Sequence, residues 1–367
     1  MYYKDFHGHK ISALGMGGVR FATVAGDENR IDREKSIPIV RKAYEKGINF
    51  FDTAYTYQNG DSEDFFAEAL APFPRESYFL STKFYANGKY DIRQVFETQL
   101  KRLKTDYIDF YMLHCLDETR FAYYTDKELD YIGFLLEQKK AGKIRYLGFS
   151  THASREQLEA FLDYFDGFDM ALMQLNYVDW TLLDAKRQYE ILTAHSIPVW
   201  VMEPLKGGRL VRMNEEAKAV LKACRPDRSA PSWSFRFLMG LPNVHTVLSC
   251  MAEDWVLEDN LATFQKSDPL SAEELSVLMQ AKELYMQNMG VPCSACRYCC
   301  DACPAGLNIP ELIRIYNETK ISGSAWRITV PAGLKGAECC LQCGTCLSYC
   351  PQRIDIPEVM KKLQEKT

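Results

Sequence analysis

Two hydrophobic rhythms alternate along the first 265 or so residues. Short apolar runs bounded by turn residues read as buried strands at residues 10–18, 48–53, 77–83, 107–114, 144–150, 170–177, 198–203 and 245–251. Between them, apolar positions recur at helical spacing over 33–46, 62–71, 91–104, 126–141, 154–166, 183–195, 214–239 (one helix or two) and 253–264. In the segment 91–104, Ile92, Val95, Phe96, Leu100 and Leu103 fall on one face. Gly47 closes the first helix and Pro72 stops the second. Ser154 with Gln157, and Ser271 with Glu274, have the spacing of capping boxes, the second opening a helix to about residue 289. Strict strand–helix alternation implies a parallel sheet, and eight repeats imply closure into a (β/α)8 barrel of the α/β class. The alternative is an open doubly wound sheet, which usually places Gly-x-Gly-x-x-Gly after its first strand. Here that turn is Gly15-Met16-Gly17-Gly18-Val19-Arg20, which does not fit.

In such a barrel, chemistry sits at the C-terminal ends of the strands. Three predicted strands end on Asp52, Lys83 and His114, and Tyr57 follows Asp52 in a polar loop. Any one of these is more often a cap, a surface group or a packing residue; their occurrence on successive strand ends makes a proton-transfer site. A phenol with its ordinary pKa of about 10 is a poor acid at neutral pH, and a neighbouring ammonium lowers that value. Lys83 is expected to act in this way on Tyr57, with Asp52 holding Lys83 as an ion pair. His114 is expected to hydrogen-bond a substrate oxygen or the tyrosine. A tyrosine so placed donates a proton to a carbonyl oxygen as hydride reaches the carbon.

Composition adds a second function. The chain has 367 residues, too many for a barrel alone, with 47% hydrophobic and 25% charged residues, as in a globular protein with a large core. A net charge of −5 argues against a nucleic-acid partner. The N-terminus has no apolar signal core and no run approaches the ~18 apolar residues of a membrane span, so a cytoplasmic protein without a membrane partner is expected. Of thirteen cysteines, ten lie between Cys293 and Cys350, a density that indicates metal rather than disulfides in that compartment.

Cys293-x2-Cys296-x2-Cys299-x3-Cys303-Pro304 and Cys340-x2-Cys343-x2-Cys346-x3-Cys350-Pro351 both carry the spacing of bacterial [4Fe–4S] ligation. The fourth cysteine of such a run usually ligates the other cluster. This assigns Cys293, Cys296, Cys299 and Cys350 to one cluster, and Cys340, Cys343, Cys346 and Cys303 to a second. Structural zinc, the alternative, normally uses two separated cysteine pairs. Cys300 and Cys339 break the spacing and are left out. Helices are expected over 309–319 and 357–366. The organisation expected is a barrel over 1–270, a connecting helix over 271–289, and a two-cluster domain over 290–367.

Phe51-Asp52-Thr53-Ala54 with Tyr57, Ser81-Thr82-Lys83, Tyr111-Met112-Leu113-His114, Gly148-Phe149-Ser150, Gln174-Leu175-Asn176-Tyr177 and Pro204-Leu205-Lys206-Gly207-Gly208 follow in order. With these motifs the chain resembles the aldo/keto reductases over roughly residues 8–265. The resemblance implies a (β/α)8 barrel that binds NAD(H) or NADP(H) without a Rossmann fold, and a catalytic set of Asp52, Tyr57, Lys83 and His114 with Tyr57 as the acid/base. It implies cofactor contacts from Gly17, Gly18, Ser150, Gln174, Met202, Ser249, Asp259 and Asn260, with Ser150 and Gln174 on the nicotinamide carboxamide. Three positions depart from the family pattern: Thr151 stands where Asn is frequent, Met202 where an aromatic ring commonly stacks on the nicotinamide, and Ala252-Glu253-Asp254 where Arg or Lys often binds a 2′-phosphate. Carboxylates repel a phosphate, which argues against an NADPH preference. The tail, roughly 285–367, resembles the α-helical type of two-cluster ferredoxin domain.

Cys115 and Cys250, at strand ends, read as small buried residues more readily than as redox groups, and His152 as a packing or surface residue more readily than as a substrate contact. Trp180, Tyr177 and Phe21 suit either a pocket lining or the core. Three functions compete. The barrel interconverts a small carbonyl and an alcohol while the clusters are structural or sense redox state; or the clusters carry electrons between a ferredoxin or flavoprotein partner and the barrel site; or the chain is a non-enzymatic redox-responsive module. Hydride carries two electrons and each cluster one, so a direct handoff needs a converter such as a flavin, for which the sequence holds no sign.

Overall fold

A computed structural model describes residues 1–321 and 333–365. Its strands are β1 (Tyr3–Phe6), β2 (His9–Ser12), β3 (Leu14–Gly17), β4 (Thr23–Val24), β5 (Asp27–Ile31), β6 (Phe50–Asp52), β7 (Phe79–Phe84), β8 (Ile108–Leu116), β9 (Ile144–Thr151), β10 (Met170–Gln174), β11 (Val199–Met202) and β12 (Val244–Ser249). Eight of them, β3 and β6 to β12, close into a parallel barrel in sequence order. The first predicted strand, 10–18, is in fact two elements. Residues 9–12 pair antiparallel with β1 as a hairpin, and only Leu14–Gly17 enters the barrel. The hairpin delivers Phe6 and Ile11 to the barrel interior, where Phe6 packs edge-on to Trp200 and Tyr146.

Strand side chains alternate between the two faces, so position parity decides what lines the barrel. Phe50, Phe79, Phe110, Met112, Tyr146, Met170, Leu172, Trp200 and Leu248 form one interior cluster. Two residues further along the same faces come Asp52, Ser81 and then Lys83, His114, Gln174, Met202 and Cys250, and four residues beyond Tyr146 comes Ser150. The lower layer is hydrocarbon and the upper layer polar. Close packing of β9 on β10 requires Gly148, because a Cβ there would lie 2.3 Å from Met170 Sδ.

The segment 214–239 is two helices, Glu215–Cys224 and Ala230–Met239, because Pro226 interrupts the first. An additional helix, Glu118–Tyr124, follows β8; the Asp117 side chain caps it by accepting from the N–H groups of Thr119 and Arg120. The next helix therefore starts at Tyr131 and not at 126.

The chain falls into two compact units, one of Met1–Pro204 with Pro231–Leu270 and one of Leu205–Ala230 with Ser271–Thr367. Residues 205–230, read from the sequence as barrel, thus group with the C-terminal unit. That unit is small and helical. Helices Ile309–Ile321 and Ile356–Gln364 pack through Leu312, Ile313, Tyr316, Val359, Met360 and Leu363, and most of the paired-run cysteines line the edge of this core. The expected end of the last helix, at residue 366, lies outside the described residues. No helix among the described residues is long and apolar enough to cross a membrane.

Candidate active site and cluster loops

The barrel rim brings Asp52, Tyr57, Lys83 and His114 together. Lys83 is fully buried, and its Nζ lies 2.6 Å from Asp52 Oδ2 and 2.6 Å from the Thr53 carbonyl oxygen. Ser81, two residues before Lys83 and on the same face, donates from Oγ to Asp52 Oδ1 at 2.9 Å. The Lys83 ammonium sits 4.9 Å from the centroid of the Tyr57 ring, and that ring meets His114 edge-on at 5.7 Å. Tyr57 reaches this point from a one-turn helix, Tyr57–Gly60, in which Gln58 and Asn59 take left-handed backbone angles. A bulge in β8 between Leu113 and Leu116, with Cys115 at φ +62°, turns the strand end where His114 is presented.

Burial governs the protonation of all four groups. It raises the Asp52 carboxyl and lowers the Lys83 ammonium, and each partner opposes the shift of the other. His114 is pushed well below the usual histidine value, first by burial and then by the Lys83 charge, so it is neutral. For Tyr57 the sequence expectation is reversed. Its phenol is pushed well above 10 by burial, with further upward contributions from Asp52, Cys250, Cys115 and Glu203. Tyr57 is thus a held proton at neutral pH, not a phenolate.

The other rim residues are fixed by hydrogen bonds. Ser150 Oγ accepts from the Cys115 N–H at 2.7 Å. Gln174 donates from Nε2 to Asp179 Oδ2 at 2.8 Å and shares a hydrogen bond with His152. His152 is held down to about 4 by burial and the Arg120 charge, against the pull of Gln174 and Asp179. Met202 pairs with Gln174 across the strands and is partly exposed. Gly17 and Gly18 end β3 beside Asp52, the Gly18 N–H donating to the Asp52 carbonyl oxygen at 2.8 Å. Ser249 and Asn260 meet each other, Asn260 Nδ2 donating to Ser249 Oγ at 2.9 Å, while Asp259 lies half-buried on the helix Asp254–Thr263.

Residues not singled out from the sequence also reach this rim. Tyr85 packs edge-on against His114 at 5.6 Å, and Arg120 bonds both the Tyr85 hydroxyl and Asp117. Tyr85 lies two residues past Lys83, a parity signal legible in the sequence; Arg120 is brought in by the unforeseen helix. Glu203 ends β11 at φ +55° and pairs with Arg20 at 3.5 Å.

In the C-terminal unit the two cysteine runs have one backbone conformation. Ala295 and Arg297 are left-handed in the first, and Gln342 and Gly344 at the same offsets in the second. Each run continues into a one-turn helix, Tyr298–Asp301 and Thr345–Ser348. Cys303 lines a pocket together with Cys340, Cys343 and Cys346. Cys350 lies near enough to Cys293 and Cys299 for the thiols to influence one another electrostatically, as does Cys296 to Cys299. The fourth cysteine of each run therefore turns to the other run. The Ala295 and Ile354 N–H groups point to the sulfurs of Cys293 and Cys350 at 3.4 and 3.5 Å, the sort of donor that stabilises a cluster thiolate. Neighbouring thiols with backbone donors to Cys293 and Cys350 suit [4Fe–4S] ligation, and Cys300 also lies beside Cys299.

Residues 13–283 match the aldo/keto reductase family, and residues 292–354 match a 4Fe-4S dicluster domain. Among curated relatives, a probable aldo-keto reductase of Glycine max is 31% identical over 154 residues, covering 39% of this chain and 42% of that protein. The NADH-specific methylglyoxal reductase of Escherichia coli is 28% identical over 223 residues, covering 54% of this chain and 65% of that protein. The matches thus span less than two thirds of either relative. Among solved structures, the holo form of an aldo-keto reductase from Bacillus halodurans superposes with a TM-score of 0.63 at 23% identity, covering 77% of this chain and 96% of that one. The chain belongs to the aldo/keto reductase family of oxidoreductases, with a 4Fe-4S dicluster domain following the barrel in sequence.

Proposed function

We propose that this is a cytoplasmic oxidoreductase that interconverts a small carbonyl and an alcohol at the rim of the barrel, with Tyr57 as the acid/base. The observation that carries this reading is the contact set in which a protonated Tyr57 lies against the Lys83 ammonium and the neutral His114 ring. In the reducing direction Tyr57 gives its proton to the carbonyl oxygen. Lys83 then faces the phenolate and offsets its charge, and Asp52 with Ser81 keeps Lys83 aimed. His114, neutral and buried, orients the substrate oxygen without competing as a charged acid. The walls of buried aromatics exclude water and strengthen these interactions.

The nicotinamide nucleotide, when bound, supplies or accepts the hydride at carbon. Gly17, Gly18, Ser150, Gln174, Met202, Ser249, Asp259 and Asn260 form its cradle in this proposal. Ser150 and Gln174 are pre-set by Cys115 and Asp179 to meet an amide. The nucleotide is NADH. The region that would face a 2′-phosphate carries Glu253, Asp254 and Glu258, and Lys42 beside them is already shared by Asp254 and Glu258 at 2.6 Å each. The name of the Escherichia coli relative points the same way and makes small aldehydes the first substrates to try.

The tail holds two clusters: Cys293, Cys296, Cys299 and Cys350 the first, Cys303, Cys340, Cys343 and Cys346 the second. Cys343 is exposed, and Leu341 and Leu347 beside it are 66% and 46% exposed, which suits brief docking of a ferredoxin or flavoprotein at the second cluster. The test is an anaerobic titration of the intact protein with NADH and with NADPH, following nucleotide fluorescence and cluster absorbance together. NADH is expected to bind more tightly, and binding of neither nucleotide would refute the assignment. Bleaching of the clusters by NADH would show that they exchange electrons with the barrel site.

A further inference from the structure

The segment Leu205–Ala230 leaves the barrel unit and belongs to the unit that carries the cysteines. Two cations at its start are aimed at one cysteine set. Lys206 is fully buried, and its Nζ lies 2.6 Å from Oε1 of Gln352, itself buried and two residues past Cys350. A buried lysine is rare unless its charge is put to use or compensated. Three residues on, Arg209 donates to the carbonyl oxygens of Val291 at 2.9 Å, Cys293 at 3.4 Å and Met289. The segment is pressed onto this loop. Lys206 and Gly207 are both left-handed, and a Cβ on Gly207 would lie 2.4 Å from the Ser294 carbonyl oxygen.

The second set differs. Among the described residues, a cation bonded beside that set, Lys335 on the Ala305 carbonyl oxygen at 2.8 Å, is exposed and screened by water. Arg297 and Arg353, in the loops of the first set, are likewise exposed.

We propose that Lys206 makes the two clusters electrically unequal: its buried ammonium stabilises the reduced form of the cluster held by Cys293, Cys296, Cys299 and Cys350, placing that cluster's reduction potential above that of its neighbour. The proposal rests on the two-cluster reading above. Reduction adds one electron, from an external reductant, and takes the four-iron core from 2+ to 1+ while the four thiolates stay bound. The unit becomes one charge more negative, and a buried cation favours that state far more than a solvated one does. An electron entering at the exposed second set would then come to rest on the first.

The test is a dye-mediated redox titration of the full chain, followed by electron paramagnetic resonance, for the natural protein and for Lys206→Met, Lys206→Gln and Lys206→Arg. In the two neutral variants one of the two transitions is expected to lose at least about tenfold in its reduction constant, about 59 mV, while the other stays in place. Lys206→Arg is expected to stay within a few-fold of the natural protein. Repeated in a Cys303→Ser background the shift should persist, and in a Cys350→Ser background it should vanish. Transitions that do not move, that move together, or that move as far with arginine as with methionine would overturn the proposal. So would loss of iron in all three Lys206 variants, which would make Lys206 purely structural. A natural protein with iron for only one cluster would instead refute the two-cluster reading, whatever Lys206 does.

Discussion

Replacing Asp52 by asparagine removes one charge from the rim and little else. Asparagine has the same shape and keeps an oxygen for Ser81, which bonds Asp52 at 2.9 Å. It leaves the Lys83 ammonium, 0% exposed, without its carboxylate at 2.6 Å. At an effective dielectric of about 20 the lost attraction is of order 6 kcal/mol, and relaxation of the native state reduces what is measured. Breaking a buried pair from one side costs about 3–5 kcal/mol, and the lower end applies here because Lys83 keeps the Thr53 carbonyl at 2.6 Å. Lys83→Met should cost a similar amount by stranding Asp52. The double variant, with neither charge, should return to within about 1 kcal/mol of the natural protein. The cost of Asp52→Asn should also depend on pH. Lys83 is depressed by burial already and falls further once Asp52 is neutral, so the native state sheds a proton that the unfolded chain keeps up to about pH 10.4. The unfolded state then binds more protons, and stability rises with pH. The deficit at pH 7 should therefore shrink towards pH 10. Urea unfolding followed by circular dichroism under anaerobic conditions measures each term. A deficit below about 1 kcal/mol that does not change with pH, or a double variant as damaged as the two singles summed, would refute the buried ion pair.

Three further outcomes follow from the same geometry. Tyr57→Phe should lower carbonyl reduction roughly 10²–10⁴-fold and leave the cluster spectrum intact; because burial holds the phenol above its usual value, the proton-donating step in the natural protein should fall away only at strongly alkaline pH. His152, depressed from 6.5 to about 4, favours a neutral native state, so its contribution to stability is complete above pH 6.5 and is lost as pH falls towards 4; acid unfolding curves of His152→Gln should be flatter over that window. Cys303→Ser and Cys350→Ser should each reduce iron from about eight atoms per chain to about four by disabling different clusters, whereas Cys300→Ser and Cys339→Ser should retain the full content by chemical iron assay.

The alternation of apolar runs with helical periods was enough to determine the barrel, because strand and helix periods differ and each repeat must bury one face. The same alternation placed Asp52, Lys83 and His114 at three strand ends, and the structure sets them two residues beyond Phe50, Ser81 and Met112. The cysteine spacing likewise determined a cluster domain, since short spacing is itself the geometry of ligation. What the sequence did not determine depends on distances between segments far apart in the chain. The direction of the Tyr57 shift is set by how deeply the rim buries it, which has no local signature. The split of residues 9–17 between a hairpin and a barrel strand depends on what the barrel interior needs at its base, which Phe6 and Ile11 supply. The removal of residues 205–230 from the barrel unit, with Lys206 carried to Gln352 across 146 positions, is decided by tertiary packing alone. Local sequence fixes dihedrals and periods; only the folded chain fixes which charges share a dry environment.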